Sequence, residues 1–261
     1  MQDIFIGDDG SGTPLVLVHG FLGSTDMWEP QVKYFKEHYR ILKPALPGFG
    51  KSKILKSCDT IECMAKVILN SLDAKKIKKF YLLEHSMGGM IAQAITKLAG
   101  NKILKLICYG TGPRGNIPGR FETIDQSREK LKLNGLEHTV SRIAETWFVE
   151  VNKAKYFYLC KEAGRQTSIE AADNGFVAMN NWSGIDNLKN IKNQTLIIWR
   201  DQDKAYNYDQ VETLKNNISN SDLKIIKGCS HNVHLEKSAK FNKTVIKFLR
   251  STWLVLAEIF S

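Results

Sequence analysis

The chain has 261 residues, a formal net charge of +10 and a mean hydropathy of −0.25; 43% of its residues are hydrophobic and 25% are charged. These values are ordinary for a globular protein, give no indication of a membrane class, and leave room for one large domain with an insertion. The charge would suit an acidic partner, but the lysines are scattered over predicted helix faces and no aromatic-basic stripe suggests base stacking. We therefore expect no nucleic-acid partner and no membrane span.

The cysteines and the N-terminus bear on the compartment. There are five cysteines, an odd number, and neither the spacing of Cys58 and Cys63 nor any His/Cys cluster has the pattern of a zinc site. We therefore expect reduced thiols, as in cytoplasmic proteins, and no bound metal. Residues 1–5 have neither the basic nor the apolar part of a signal peptide, so we expect a cytoplasmic protein.

From the N-terminus, short apolar runs alternate with segments of helical spacing. Such runs are typical of strands buried on both faces of a parallel sheet. The first half of the chain predicts strands at residues 15–18, 40–45, 80–83 and 103–109, and helices at residues 60–72 and 90–98. This order favours a mostly parallel sheet with helices on its faces.

The alternation is interrupted at residues 113–190, which are rich in amphipathic helical patterns and poor in apolar β-runs. Strands are predicted again at 195–199 and 223–226, followed by a helix at 238–249. We therefore divide the chain into a core (1–112), a helical insertion (113–190) and a second part of the core (191–261). The apolar run from Trp253 to Phe260 is far shorter than the ~20 residues of a membrane span. We expect it to pack on the core or on a partner, and a foreign tail is the alternative.

The most informative motif surrounds Ser86. An apolar run ends at this serine, Gly88 and Gly89 follow it, and a helical pattern then begins. This is the strand–turn–helix setting of a nucleophile elbow, whose usual form is Gly-x-Ser-x-Gly. Glu84 occupies the position of the first glycine, so the motif predicts a nucleophile and marks an irregularity beside it.

A serine hydroxyl needs a base to take its proton, usually a histidine that a carboxylate orients. In the fold class that has this elbow, the chain order is serine, acid, histidine. Of the two histidines that follow a suitable acid, His231 is nearer the end of a predicted strand than His234, which we interpret as a loop or helix-start residue. Asp203 follows the preceding strand, and we favour it over Asp201, which we interpret as a turn residue.

The oxyanion hole of such a site needs backbone N–H groups directed at the developing negative charge. One should belong to Met87, the residue after the serine. The other should come from the loop that follows the strand at 15–18, where Phe21 is the expected donor. Ligands of open α/β sheets bind at the carboxyl ends of the strands, and all these groups are expected there.

With these residues identified, the chain resembles the α/β-hydrolase superfamily over nearly its whole length. The matching segments are 17–23 (LVHGFLG), 46–52 (LPGFGKS), 85–89 (HSMGG), 201–203 (DQD) and 230–236 (SHNVHLE). It is similar to the branch that contains enol-lactonases, small carboxylesterases and meta-cleavage C–C hydrolases. The resemblance implies a twisted, mostly parallel sheet flanked by helices, with a helical cap inserted after the sixth core strand. Residues 113–190 look like this cap.

Three residues depart from the pattern that the resemblance implies, each at the end of a predicted strand. Glu84 and Arg200 stand where relatives usually have glycine, and Ala45 stands where they usually have aspartate. In this fold the strands ending at Glu84 and Arg200 flank the strand ending at Gly110, and strands two apart are separated by roughly 9–10 Å. One hypothesis is that Arg200 neutralises Glu84 across Gly110; the alternative is that Glu84 points to solvent.

The expected reaction is hydrolysis of a small carboxylic ester or lactone in two acyl-transfer steps, which needs no cofactor. Two alternatives stay open: hydrolysis of a C–C bond in a vinylogous diketone by the same three residues, and ligand binding by a protein whose elbow Glu84 impairs. Arg114 and Arg120 could hold a substrate carboxylate, and Trp147 and Trp182 are candidate pocket walls. The expected partner is thus a small-molecule ester or lactone, and a homodimer is compatible with the sequence.

Overall fold

The computed structural model describes residues 3–117 and 119–251, and the apolar run from Trp253 to Phe260 lies outside them. The strands are β1 (Ile6–Asp9), β2 (Pro14–Val18), β3 (Arg40–Pro44), β4 (Phe80–His85), β5 (Ile103–Tyr109), β6 (Thr195–Arg200) and β7 (Ser221–Ile226). In the described residues they form one sheet in the order β1-β3-β2-β4-β5-β6-β7. β1 runs antiparallel to β3, and the other neighbouring pairs are parallel.

Helices connect the parallel strands. The α-helices in the described ranges are α1 (Glu29–Phe35), α2 (Ile61–Ala74), α3 (Met87–Ala99), α4 (Ile124–Glu145), α5 (Phe157–Arg165), α6 (Ile169–Asn180), α7 (Tyr208–Asn217), α8 (Val233–Glu236) and α9 (Ser238–Arg250). The predicted mostly parallel sheet flanked by helices is confirmed. Within residues 3–117 and 119–251, no helix combines the length and the apolarity that crossing a bilayer requires.

Helices cover both faces of the sheet because each strand supplies side chains to two apolar clusters. One cluster joins the strands to α2, α3 and α7, through residues such as Met64, Ile91 and Val211. The other joins the strands to α1 and α9, through Phe35 and Phe241. Successive side chains of a strand point to opposite faces, so a residue's place in the alternation decides which cluster it enters.

Residues 113–190, which we call the cap segment, lie between β5 and β6. They contain α4, α5 and α6 with two short 3-10 helices, Val151–Lys153 and Ile185–Asn190. α4 packs against α5 and α6, and it begins where the Thr123 hydroxyl accepts the Gln126 N–H. The resemblance implied an insertion after a sixth strand; in the described residues the cap segment follows the fifth strand along the chain.

The expectation of reduced thiols is wrong for two of the five cysteines. Cys58 and Cys63 form a disulfide with their Cα atoms 5.8 Å apart, a separation that disulfide geometry accepts. Thr60 starts α2 by accepting the Cys63 N–H, so the first helical turn brings Cys63 back beside Cys58. The three remaining cysteines are free and buried: Cys108, Cys160 and Cys229.

Candidate active site

Ser86 lies at the sharp turn between β4 and α3. Its backbone has φ 58° and ψ −119°, a left-handed conformation that non-glycine residues rarely adopt and that a fixed surrounding must hold. The Ser86 N–H donates to the Tyr109 carbonyl at 3.1 Å. A Cβ on Gly88 would come within 2.7 Å of the Val18 carbonyl oxygen, so only glycine lets α3 approach β2 this closely. The elbow geometry predicted from the motif is therefore present, with Glu84 in place.

Asp203 follows β6 by three residues and its side chain is fully buried. Its Oδ1 accepts the Ala205 N–H at 2.8 Å, and its two carboxylate oxygens lie 3.2 and 3.3 Å from His231 Nδ1. Burial alone would raise the pKa of Asp203, but the Arg200 guanidinium and His231 outweigh it and lower that pKa. Asp203 is thus held as a carboxylate next to His231. Asp201 instead accepts the Gly228 N–H at 2.7 Å.

His231 lies in the loop after β7 and is almost fully buried. Its ring stacks on Tyr206 with centroids 5.8 Å apart and lies 4.6 Å from the ring of His85. Burial lowers the pKa of His231, Asp203 opposes that effect, and Arg200 adds to it. The imidazole is therefore favoured in its neutral form, which is the form that can accept a proton.

His234 is not at the catalytic position but on α8, where it is buried. Its Nδ1 is hydrogen-bonded to the Tyr109 hydroxyl, and its ring contacts Trp28 at 4.9 Å between centroids. Burial lowers its pKa well below the usual range. The helix-start position agrees with the interpretation from the sequence.

Arg200 at the end of β6 belongs to this cluster and is completely buried. Its Nε donates to the Ser230 carbonyl at 3.0 Å. Its Nη2 donates to Asp203 and also lies 2.9 Å from His231 Nδ1. The guanidinium passes over the Tyr109 ring at 5.2 Å from its centroid. Sequence reasoning identified Arg200 as an irregular residue but did not place it between the acid and the histidine.

The hypothesis that Arg200 neutralises Glu84 is wrong, and so is the alternative that Glu84 points to solvent. Glu84 is fully buried, and in the register it lies between Val18 and Cys108. It shares the face of Leu82, whereas Arg200 reaches the opposite face. Neither Glu84 carboxyl oxygen meets a partner in good hydrogen-bond geometry within the described residues. Burial raises the pKa of Glu84 well above its usual range, and the Cys108 thiol offsets only part of this.

The loop after β2 is fixed by His19, which sequence reasoning did not single out. Its Nε2 accepts the Leu46 N–H at 3.1 Å, so its Nδ1 carries the proton and donates to the Gly20 carbonyl at 2.8 Å. Burial lowers the pKa of His19 to about 4. The loop that carries Phe21 is thus held by a neutral histidine. The oxyanion roles of the Phe21 and Met87 N–H groups stay predictions.

Ser86, His231 and Phe21 lie at one small cavity of about 30 Å³. Its walls come from the sheet edge and from the cap segment: Phe21, Ser86, Gly115, Ile117, Arg120, Phe121, Ile124, Ile143, Trp147, Met179, Ala205, Tyr206 and His231. The expected wall Trp147 and the expected anchor Arg120 are both there. Arg114 is exposed and Trp182 is buried elsewhere, so the structure does not bring these two to the cavity.

Tyr206 is a cavity residue that the sequence analysis missed. Burial raises its pKa to about 12, and its phenol lies close enough to Ser86 to interact with it. It follows Asp203 by three residues in a loop, and no pattern in the sequence separates such a tyrosine from an ordinary loop residue. The residues that the structure describes contain no group of three His, Cys, Asp or Glu side chains arranged for a metal ion.

The cap segment is tied directly to the loop that carries His231. The Asn232 N–H donates to the Trp147 carbonyl at 3.0 Å, and the Ser230 hydroxyl donates to the Thr146 carbonyl at 3.1 Å. The residues that follow α4 therefore help to fix the position of His231 at the edge of the sheet.

Known proteins match both the chain and its fold. A family profile described as alpha/beta hydrolase fold matches residues 13–238. The chain is 24% identical over 268 residues to the monoacylglycerol lipase ABHD6 of Rattus norvegicus, covering 95% of this chain and 78% of that protein. It is 24% identical over 254 residues to the pimeloyl-[acyl-carrier protein] methyl ester esterase of Legionella pneumophila (strain Paris), covering 95% and 100%. The enol-lactonase structure from Burkholderia xenovorans LB400 has a TM-score of 0.86 at 22% identity, covering 95% of this chain and 96% of that one.

Proposed function

The chain belongs to the α/β hydrolase fold family and is a hydrolase, and we propose that it cleaves a small carboxylic ester or lactone through an acyl-enzyme on Ser86. One observation carries the proposal: Ser86 in an elbow conformation and His231, backed by buried Asp203, line the same cavity. The similarity to named esterases and to a lactonase supports an ester or lactone as the bond that is cleaved.

In the first half of the reaction, Ser86 Oγ attacks the carbonyl carbon while His231 Nε2 takes the hydroxyl proton. The carbonyl π-electrons move to oxygen, and the N–H groups of Phe21 and Met87 hold the resulting oxyanion. The bond from the carbonyl carbon to the alkoxy oxygen then breaks. His231 returns its proton to that oxygen, which leaves an ester between Ser86 and the acyl group. In a lactone the alcohol stays attached to the acyl chain.

In the second half, His231 removes a proton from water, and the hydroxide oxygen attacks the acyl carbon. The bond between the acyl carbon and Ser86 Oγ breaks, and His231 protonates the departing Oγ. The products are a carboxylic acid and free Ser86. Asp203 stays ionised throughout and stabilises the imidazolium that forms in each half.

Arg120 favours substrates with a second, anionic group. It lines the cavity, and its Nη1 meets no hydrogen-bond partner among the described residues. A buried N–H group without a partner is costly, and a carboxylate could accept from Nη1 and a second guanidinium nitrogen together. An ester of a dicarboxylic acid is the simplest substrate that places one carboxylate at Arg120 and one ester at Ser86.

A fluorophosphonate probe tests the proposal directly. We expect it to label the wild type at neutral pH and to leave Ser86→Ala unlabelled, with Ser52→Ala as a matched control that still labels. A panel of p-nitrophenyl acetate, monomethyl succinate, a γ-lactone and a ring-fission vinylogous diketone then defines the bond. Turnover of the diketone alone would show that the protein hydrolyses a C–C bond and not an ester. A wild type that the probe does not label would contradict the proposal of an active hydrolase.

A further inference from the structure

The nitrogen Nδ1 of His231 has two neighbours that require opposite protonation. Asp203 is a carboxylate and can only accept a hydrogen bond, at 3.2 Å from Nδ1. Arg200 is a guanidinium and can only donate one, at 2.9 Å from the same Nδ1. If Nδ1 carries a hydrogen, it can donate to Asp203 but cannot accept from Arg200. If Nδ1 carries a lone pair, it can accept from Arg200 but cannot donate to Asp203, which then keeps its hydrogen bond from Arg200.

The choice between these two forms decides whether His231 can act as a base. Neutral imidazole carries one proton, so a lone pair on Nδ1 places the hydrogen on Nε2. A histidine with hydrogen on Nε2 cannot take the Ser86 proton at that nitrogen. Activity requires the other form, in which Nδ1–H donates to Asp203 and Nε2 is free.

The contacts of Arg200 indicate that it is fixed in place. It is completely buried, its Nε is held by the Ser230 carbonyl, and its Nη2 is held by Asp203. Gly110 leaves the space that it needs, because a Cβ there would lie 2.5 Å from Arg200 Nη1. The side chain therefore cannot swing away from His231 at low cost.

We propose that Arg200 is a positioning residue that competes with Asp203 for Nδ1 of His231 and so restrains the hydrolase. This inference rests on the proposed function, since it concerns the base of that reaction. Arg200 also shares the Asp203 carboxylate, which leaves less negative charge to stabilise the imidazolium. The hydrolase therefore runs below the rate that its other groups allow.

The remaining groups around His231 do not make the same demand on Nδ1. Those that face its ring are His85 from β4, Tyr206 from the loop after Asp203, and Trp147 and Arg120 from the cap segment. Arg200 and Arg120 both lower the pKa of His231, and Asp203 raises it. Removing Arg200 is thus expected to raise the pKa of His231 as well as to free its Nδ1.

Arg200→Met tests the proposal because methionine keeps a long side chain and removes the charge and the donors. With p-nitrophenyl acetate we expect kcat to rise at least about tenfold, since a correctly placed general base contributes more than this. We also expect the acid limb of kcat/KM to move to higher pH. Lys204→Met, which removes an exposed cation from the same loop, should change neither quantity.

A second measurement does not depend on turnover. Nitrogen-15 NMR of histidine-labelled protein assigns the tautomer of His231, with His231→Gln to identify its signals. We expect the hydrogen on Nε2 in the wild type and on Nδ1 in Arg200→Met. Hydrogen on Nδ1 already in the wild type overturns the proposal, including in the case that Arg200→Met does not fold. An unchanged kcat and acid limb in a folded Arg200→Met also overturns it. A wild type that the fluorophosphonate does not label instead contradicts the proposed function, and the tautomer still reports on the Arg200 contact.

Discussion

The ends of β4 and β6 carry large polar residues at matching places, and the protein treats them in opposite ways. Glu84 is buried between Val18 and Cys108 in an apolar cluster and has no ionic partner there. Arg200 is buried equally well but donates to Ser230 and Asp203. The first residue keeps a proton to avoid a buried charge. The second is compensated by the Asp203 carboxylate and the Ser230 carbonyl, although its Nη1 has no hydrogen-bond partner among the described residues.

The difference comes from strand alternation. Glu84 is two residues after Leu82, so it faces α2 and α3. Arg200 is two residues after Ile198, so it faces the other cluster and the loop of His231. The ends of two strands that flank the same strand, β5, can therefore have unrelated effects: Glu84 concerns stability, and we propose that Arg200 concerns reactivity.

The largest expected effect is on the Arg200 side of this comparison. Asp203→Asn removes the carboxylate that compensates a buried guanidinium, and breaking a buried pair in this way costs about 3–5 kcal/mol. Urea unfolding should show this loss in the free energy of unfolding. The cost should shrink in the Arg200→Met background, because no buried charge is then left unpaired.

Asp201→Asn is the matched control for this prediction. Asp201 is exposed in the same loop and accepts one backbone N–H, so its substitution should cost no more than about 1 kcal/mol. Two results would show that the Arg200–Asp203 ion pair does not stabilise the fold. One is an equal loss in the free energy of unfolding for Asp203→Asn and Asp201→Asn. The other is an equal loss for Asp203→Asn with and without Arg200.

A smaller effect is expected at Gly110, which has φ 59°. In Gly110→Ala the new Cβ would lie 2.5 Å from Arg200 Nη1, and the hydrogen bonds at Nε and Nη2 keep the guanidinium from moving aside. Strain and overpacking together should cost about 2–4 kcal/mol in the free energy of unfolding. Gly12 has φ 92°, and a Cβ there would lie 3.8 Å from the His38 carbonyl oxygen, an ordinary contact. Gly12→Ala therefore isolates the backbone strain, about 1–2 kcal/mol. The excess at Gly110 should disappear with Arg200→Met; an excess that persists would mean that Arg200 is not the obstacle.

The smallest effect is expected at Glu84. Glu84→Met replaces a buried carboxyl that lacks good partners and should stabilise the protein by about 1–3 kcal/mol. The raised pKa of Glu84 means that the folded chain keeps a proton that the unfolded chain loses above its usual value of 4.5. The wild type therefore loses stability as the pH rises above 4.5 towards the raised pKa of the folded chain. The increase in the free energy of unfolding caused by Glu84→Met should thus be larger at pH 8 than at pH 5.

Urea unfolding at the two pH values measures this gain. Glu62→Met, at an exposed position of α2, controls for the loss of a surface carboxylate and should stay within about 0.5 kcal/mol of the wild type. Hydrolysis by Glu84→Met should stay within about threefold of the wild type, since Glu84 does not touch the cavity. A gain that is the same at both pH values would show that Glu84 is ionised in the folded chain.

The sequence predicts the sheet and the meeting of Ser86, Asp203 and His231 because apolar runs and turn residues locate strand ends. Parallel strands bring their carboxyl ends to one edge, so chain order is enough to gather the three side chains. Chain order alone does not predict to which face of the sheet a single side chain points. The spacing of strands alone places Glu84 and Arg200 within reach of one another, whereas the alternation along β4 and β6 directs them to opposite faces of the sheet.

Other residues carry no local signal. Tyr206 enters the cavity because the Asp203 carboxylate accepts its N–H and Trp199 Nε1 donates to its carbonyl, which together fix the loop. The Cys58–Cys63 disulfide depends on where α2 starts, and Arg114 and Trp182 miss the cavity because of how the cap segment packs. Each of these follows from tertiary contacts that no short motif encodes.

The small cavity above Ser86 changes what an affinity for this protein means. About 30 Å³ has room for roughly one or two water molecules, so we expect an ester to bind only when the walls of the cavity move apart. If a fraction of the molecules has the walls apart, the apparent dissociation constant is the intrinsic one divided by that fraction. The Asn232 N–H and the Ser230 hydroxyl donate to the Trp147 and Thr146 carbonyls and so join the cap segment to the loop of His231. We therefore expect the loss of these hydrogen bonds to change substrate affinity, although neither residue lines the cavity.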